Sequence, residues 1–173
     1  MEGETWSSWN GSAINVNNSP YKLCLRGKNN TQVTSSSSGA YFAITTPSSP
    51  RATGVECSGN IMTLLDYENP SGATMGTRCF ERMFYSWSKL TSAPSLPATT
   101  LAERCYNQMF YGCTGLTTAP ALPATTLADS CYVNIFKGCT GLTRRYSNQP
   151  CMNGGISYQR SAQAVLCPQS VTV

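Results

Sequence analysis

The chain is expected to fold as an α/β repeat solenoid of short parallel strands and short helices, preceded by a small β-rich N-terminal segment. Two observations predict this. The stretch "LPATTLAERCYNQMFYGCTGL" (residues 96–116) returns almost letter for letter as "LPATTLADSCYVNIFKGCTGL" (residues 122–142), and the copies carry a helix-like spacing of capping, apolar and glycine positions. Aligning the chain with itself gives a period of 26 residues, a spacing typical of stacked repeat units. Such a unit cannot bury its own apolar face, and stacking copies joins the faces into one core.

The register places Cys79, Cys105 and Cys131 in line, and likewise Phe84, Phe110 and Phe136. Met83, Met109 and Ile135 form another row, as do Leu64, Leu90, Leu116 and Leu142. Three units follow, 64–89, 90–115 and 116–141, with the register lost after Leu142. Within the second unit, Thr100 and Glu103 have the form of a capping box, so a helix is expected to begin there. Leu101, Cys105, Met109 and Phe110 then recur at helical spacing, and Gly112 can end the helix in a left-handed conformation. The third unit repeats this with Thr126 and Asp129 at the start, Leu127, Cys131, Ile135 and Phe136 inside, and Gly138 at the end. Pro94, Pro97, Pro120 and Pro123 bar the intervening segments from helix, leaving room for a strand of about three residues around Leu90 or Leu116.

The cysteines follow from the same register, with Cys105 and Cys131 on one rail and Cys113 and Cys139 on a second. Residues stacked about 4.8 Å apart through parallel strands point their Cβ atoms the same way, so buried thiols are expected rather than disulfides. The nine cysteines also make an odd number, which excludes a complete disulfide framework. A spacing of Cys-x7-Cys sets the sulfurs too far apart on one helix for a shared metal, and no metal or other cofactor is expected.

Before the repeats, "SPYKLCLRGKNNTQVT" alternates apolar and polar residues and turns at 27–30, which predicts a hairpin or meander; "SSSSGAYFAITT" offers a further strand. Residues 1–63 are therefore read as a β-rich cap or anchoring segment, and 143–173 as a C-terminal cap or tail. Trp6 and Trp9 sit among Ser, Asn and Gly. They either pack onto the hairpin or serve as anchors for a partner, since tryptophan is enriched at binding hot spots.

Composition narrows the function. The 173 residues contain no histidine, which removes Ser/His/Asp and Cys/His nucleophile systems and the usual zinc hydrolase sites. Charged residues make up 12% and the net charge is +4, too sparse for a nucleic-acid footprint; Arg144-Arg145 reads as a solvated turn. An enzyme would have to rely on carboxylates, and Asp66 with Glu68 is the pair a glycosidase could use. No signal-peptide pattern opens the chain and no apolar run approaches the roughly 20 residues of a membrane span.

The units "LTTAPALPATTLADSCYVNIFKGCTG" and "LTSAPSLPATTLAERCYNQMFYGCTG" resemble the BspA-like leucine-rich repeats of surface proteins of gut and oral bacteria and of their phages. The resemblance covers about residues 64–142 and rests on the ordered Leu-Pro, Cys-Tyr-x-x-(Met/Ile)-Phe and Gly-Cys-Thr-Gly elements. It implies a fold of leucine-rich-repeat type used for adhesion or protein recognition, not catalysis. With no leader, a phage virion- or tail-associated protein made in the host cytoplasm is the first expectation. A bacterial cell-surface adhesin is the alternative. Partners would be a host-cell protein or surface glycan, or other virion proteins, without nucleic acid or membrane insertion, and an oligomer held through Trp6 and Trp9 is a third possibility. The outward positions expected to bind are Thr91, Ser92, Thr117 and Thr118, with Arg144 and Tyr146 at the end of the same surface; strand propensity alone would also select such threonines.

Overall fold

The computed structural model describes residues 6–8, 23–34 and 54–143. It overturns the expected α/β solenoid of leucine-rich-repeat type. Among the described residues there is no α-helix, and the only sheet is a parallel pair, β1 (Val55–Glu56) with β2 (Leu90–Ser92). One 3-10 helix, Ile61–Leu64, follows β1 and is capped by the Asn60 side chain, which accepts from the Met62 amide at 2.9 Å. Within the β-rich N-terminal cap, the hairpin expected at 19–34 is corrected as well: residues 23–34 hold no strand, and β1 is the only strand before the repeats among the described residues. The further strand expected within "SSSSGAYFAITT" lies outside the described residues, as do residues 144–173.

The segments expected to be helical are runs of tight turns spanning 77–86, 103–112 and 129–138. Every fourth residue along them is left-handed: Arg78, Arg82 and Ser86, then Arg104, Gln108 and Gly112, then Ser130, Asn134 and Gly138, with φ between 53° and 79°. Gly112 and Gly138 do adopt the left-handed conformation, but as the last of three such residues and not as the end of a helix. Backbone amides divide between two uses. Odd-numbered amides close three-residue turns within the unit, as in Met109 to the Tyr106 carbonyl. Even-numbered amides donate to the next unit: Arg78, Phe80, Arg82, Phe84 and Ser86 to the carbonyls of Glu103, Cys105, Asn107, Met109 and Tyr111, at 2.6–2.9 Å. Arg104, Tyr106, Gln108, Phe110 and Gly112 repeat the pattern onto Asp129, Cys131, Val133, Ile135 and Lys137.

The helical expectation failed for an identifiable reason. An in-in-out-out pattern of buried residues, Cys105-Tyr106 and Met109-Phe110 followed by Cys113, has a period of four, and over ten residues this is hard to separate from the helical 3.6. A left-handed conformation costs an L-residue about 1–2 kcal/mol. Five inter-unit hydrogen bonds at each junction, each contributing about 1 kcal/mol net, act against that cost together with the buried aromatic rows. Phe80 and Tyr106 stack with centroids 5.6 Å apart, Tyr106 and Tyr132 at 5.8 Å, Phe84 and Phe110 at 5.4 Å, and Phe110 and Phe136 at 5.6 Å. Thr100 and Thr126 cap nothing, and Glu103 lies instead beside Arg104, with 3.5 Å between the charged atoms.

The return side of each unit is simpler. Val55 pairs with Leu90 and Glu56 with Ser92, so β2 pairs with the segment before the repeats rather than with the next copy. Further along, the Thr117 amide reaches the Thr91 carbonyl at 3.5 Å and the Thr143 amide reaches that of Thr117 at 3.2 Å. Between the two sides, Gly115 passes so close to the preceding unit that an added Cβ would lie 2.5 Å from the Ser88 carbonyl oxygen. Gly141 meets Thr114 in the same way, which explains why Cys-Thr-Gly-Leu must keep its glycine in both copies. The core is one cluster, running from Ile61 through Leu90, Leu96, Phe110, Leu116 and Leu122 to Cys139. Residues 27–34 lie against its first unit: the Gly27 amide bonds Thr63, the Asn30 amide bonds Leu65, and the Val33 and Thr34 amides both bond the Cys79 carbonyl.

Candidate functional site

The stacking register carries side chains on its outer face as well as in its core. Tyr85 and Tyr111, one period apart, stack with centroids 4.9 Å apart and planes inclined by 10°. The Arg82 guanidinium lies 5.5 Å from the Tyr85 ring centroid, and the Lys137 ammonium 5.8 Å from that of Tyr111. Arg82 Nε also donates to Gln108 Oε1 at 2.7 Å, one unit on. Two aromatic rings covered by each other and attended by cations present mainly their edges and hydroxyls to solvent. This surface can hydrogen-bond a partner, while its ring faces are largely in use. Sequence reading missed it, although Tyr85, Tyr111 and Lys137 share a register position that the period itself exposes.

The residues expected to bind occupy the return side, and three of the four use their hydroxyls internally. Thr91 Oγ1 donates to the Val55 carbonyl at 3.2 Å, Ser92 Oγ to that of Cys57 at 3.0 Å, and Thr117 Oγ1 to that of Thr91 at 3.4 Å. Thr143 continues the series onto Thr117 at 3.3 Å. Thr91 and Ser92 are half-buried, whereas Thr117 and Thr118 are exposed. Arg144 and Tyr146 lie outside the described residues.

A second grouping lies over the first unit. The Arg26 guanidinium lies over the ring of Trp6, itself 43% exposed, at 3.9 Å and over that of Tyr67 at 4.1 Å. These rings border an open hollow of about 510 Å³ that Lys28, Leu64 and Met83 also line. Trp6 therefore packs on an arginine, not on a hairpin; Trp9 lies outside the described residues. Arg26 had no sequence signal beyond alternation and Tyr67 had none, because their pairing joins residues 41 positions apart in the chain.

The carboxylates proposed for acid–base chemistry are occupied here. Asp66 Oδ1 accepts from the amides of Glu68 at 3.0 Å and Asn69 at 3.3 Å, closing a turn. Glu68 accepts from Lys28 and from the Tyr67 hydroxyl, both at 2.8 Å. The Lys28 hydrogen bond, then that of Tyr67, holds the Glu68 carboxyl below its usual range, the opposite of the shift a general acid requires.

The thiols of the repeat units are equally settled, while Cys24 is exposed and Cys57 partly buried. Cys79, Cys105, Cys113, Cys131 and Cys139 are buried and free. Cys113 Sγ donates to the Phe84 carbonyl at 3.0 Å and Cys139 Sγ to that of Phe110 at 2.9 Å, so this rail hydrogen-bonds to the preceding unit. Burial pushes the Cys79, Cys105 and Cys113 thiols up to about 12 and that of Cys139 to about 11. Protonated thiols are neither good nucleophiles nor metal ligands. Among the described residues no group of three or more Cys, Asp or Glu is placed to hold a metal ion, and no helix is long and apolar enough to cross a membrane. Compared with models of protein families, with curated proteins and with solved structures, the chain matches none.

Proposed function

We propose that this chain works by binding rather than catalysis, as a phage virion- or tail-associated protein that contributes to attachment or host-surface recognition. The observation that carries the reading is the outer row of Tyr85, Tyr111 and Lys137, which repeat at the stacking period with Arg82 beside Tyr85, on a backbone joined by five hydrogen bonds per junction. Regularly spaced side chains on a hydrogen-bonded frame lose little conformational entropy on binding, which favours recognition of an extended partner. Several groups that could do chemistry are turned to structural use: Asp66 closes a turn, Glu68 is ion-paired and the thiols of the repeat units are buried. The sequence resemblance supplies the biological setting, with a host-cell protein or glycan as the partner.

The test has two arms. Antibody against the chain should detect it in purified virions, and labelled protein should bind host cells. Changing Tyr85 and Tyr111 together to Ala should weaken cell binding about tenfold, the equivalent of roughly 1.4 kcal/mol, without loss of the folded circular-dichroism signal. Absence from virions combined with no binding to cells would end the reading. Presence only on bacterial envelopes would move the protein to the surface-adhesin alternative.

A further inference from the structure

The geometry points to a second binding site, separate from the tyrosine row, in which Arg26, packed against the rings of Trp6 and Tyr67, receives the carboxylate of an acidic sugar. The guanidinium lies over both rings, with its central carbon 3.9 and 4.1 Å from their centroids, contacts that leave its N–H donors without an acceptor from either ring. Among the described residues none of those donors has a hydrogen-bond or ion-pair partner. A planar fork held in one orientation matches the two oxygens of a carboxylate, and little freedom remains to be lost when the bond forms.

The surrounding charge disfavours a highly charged ligand. Lys28, the other cation lining the hollow, is paired with Glu68 at 2.8 Å, and Asp66 also acts on Lys28 while Glu68 feels Arg26, so two carboxylates already balance the two cations. A doubly charged phosphate would be repelled more strongly by these carboxylates than a singly charged carboxylate. The hollow of about 510 Å³ falls within the size range of small-ligand sites. Trp6 remains 43% exposed beside the fork, offering an apolar ring face to the C–H side of a sugar. Ser7 and Ser8 line the same hollow and offer hydroxyls to its polar rim.

Isothermal titration of the full chain with sodium glucuronate, its methyl ester, acetate and inorganic phosphate separates the contributions. Glucuronate is expected to bind, with the ester, acetate and phosphate each at least about tenfold weaker. Arg26→Lys keeps the charge but loses the fork and should cost glucuronate about tenfold, as should Trp6→Ala, while cell binding through the tyrosine row is unchanged. No heat with any probe, an ester that binds as well as the acid, or an Arg26→Lys protein that binds like the parent would each overturn the proposal. Acetate or phosphate matching glucuronate would overturn the sugar assignment. The ester comparison needs no variant, so a folding defect in one cannot mask the outcome.

Discussion

The two sides of each unit are joined to their neighbours by different means. On the turn side, units 64–89, 90–115 and 116–141 share five backbone hydrogen bonds at each junction, over buried aromatic rows. On the return side, Thr91, Thr117 and Thr143 are linked by one backbone bond and one hydroxyl bond at each step among the described residues, at 3.2–3.5 Å and partly in solvent. The period is therefore maintained by the turn runs, and the threonine row follows it. A residue can recur at every period because the fold needs its hydroxyl, so recurrence alone does not mark a binding face.

The largest expected effect comes from alkali, which acts on the turn side and its exit, where Cys79, Cys105, Cys113, Cys131 and Cys139 lie. Their folded pKa values are raised by burial, to about 12 for Cys105 and Cys113. Above the ordinary thiol value near 9, the unfolded chain loses protons that the folded chain keeps, so stability present below that pH is lost as pH rises toward 11–12. Each thiol contributes up to about 1.4 kcal/mol per pH unit in that window. In reducing buffer the urea midpoint should fall steeply above pH 9, and a midpoint flat to pH 11 would contradict the burial of these thiols.

Next in size is Phe110→Ala, which removes a fully buried ring stacked on both sides by Phe84 and Phe136. A loss of about 3–5 kcal/mol is expected in urea unfolding, and a cost under about 1 kcal/mol would mean that the aromatic rows are not what holds the turn side. The smallest is Thr117→Val, which removes the 3.4 Å bond to Thr91 at an exposed position. It should shift stability by no more than about 0.5 kcal/mol; a cost approaching that of Phe110→Ala would erase the contrast between the two sides.

Much of the packing was legible in the sequence and the backbone was not. Phe84, Phe110 and Phe136 aligned at the repeat period and do stack on one another, because a periodic chain brings equivalent side chains together whatever its local conformation. The left-handed residues were hidden: nothing in Arg104 or Gln108 announces a positive φ, and Thr100-x-x-Glu103 copies a helix start closely. The candidate site was half visible. Trp6 stood out as a tryptophan in a polar setting, but its partner Arg26 did not, since the contact depends on how residues 23–34 cross the first unit. The threonines were recognised for their exposure, while their internal hydrogen bonds required knowledge of the unit before them.

The direction of the inter-unit amides gives the stack an electrical polarity. Every even-numbered N–H of the first two turn runs points from a lower-numbered unit to a higher one, so the peptide dipoles add, as they do along a helix. At one end, the carbonyl pole is partly neutralised by the Val33 and Thr34 amides on Cys79 and by Gln32 on Thr77. At the other, the amides of Ser130, Tyr132, Phe136 and Gly138 have no acceptor among the described residues. Two copies brought together through this edge would set donor against donor, so its natural complement is a row of acceptors.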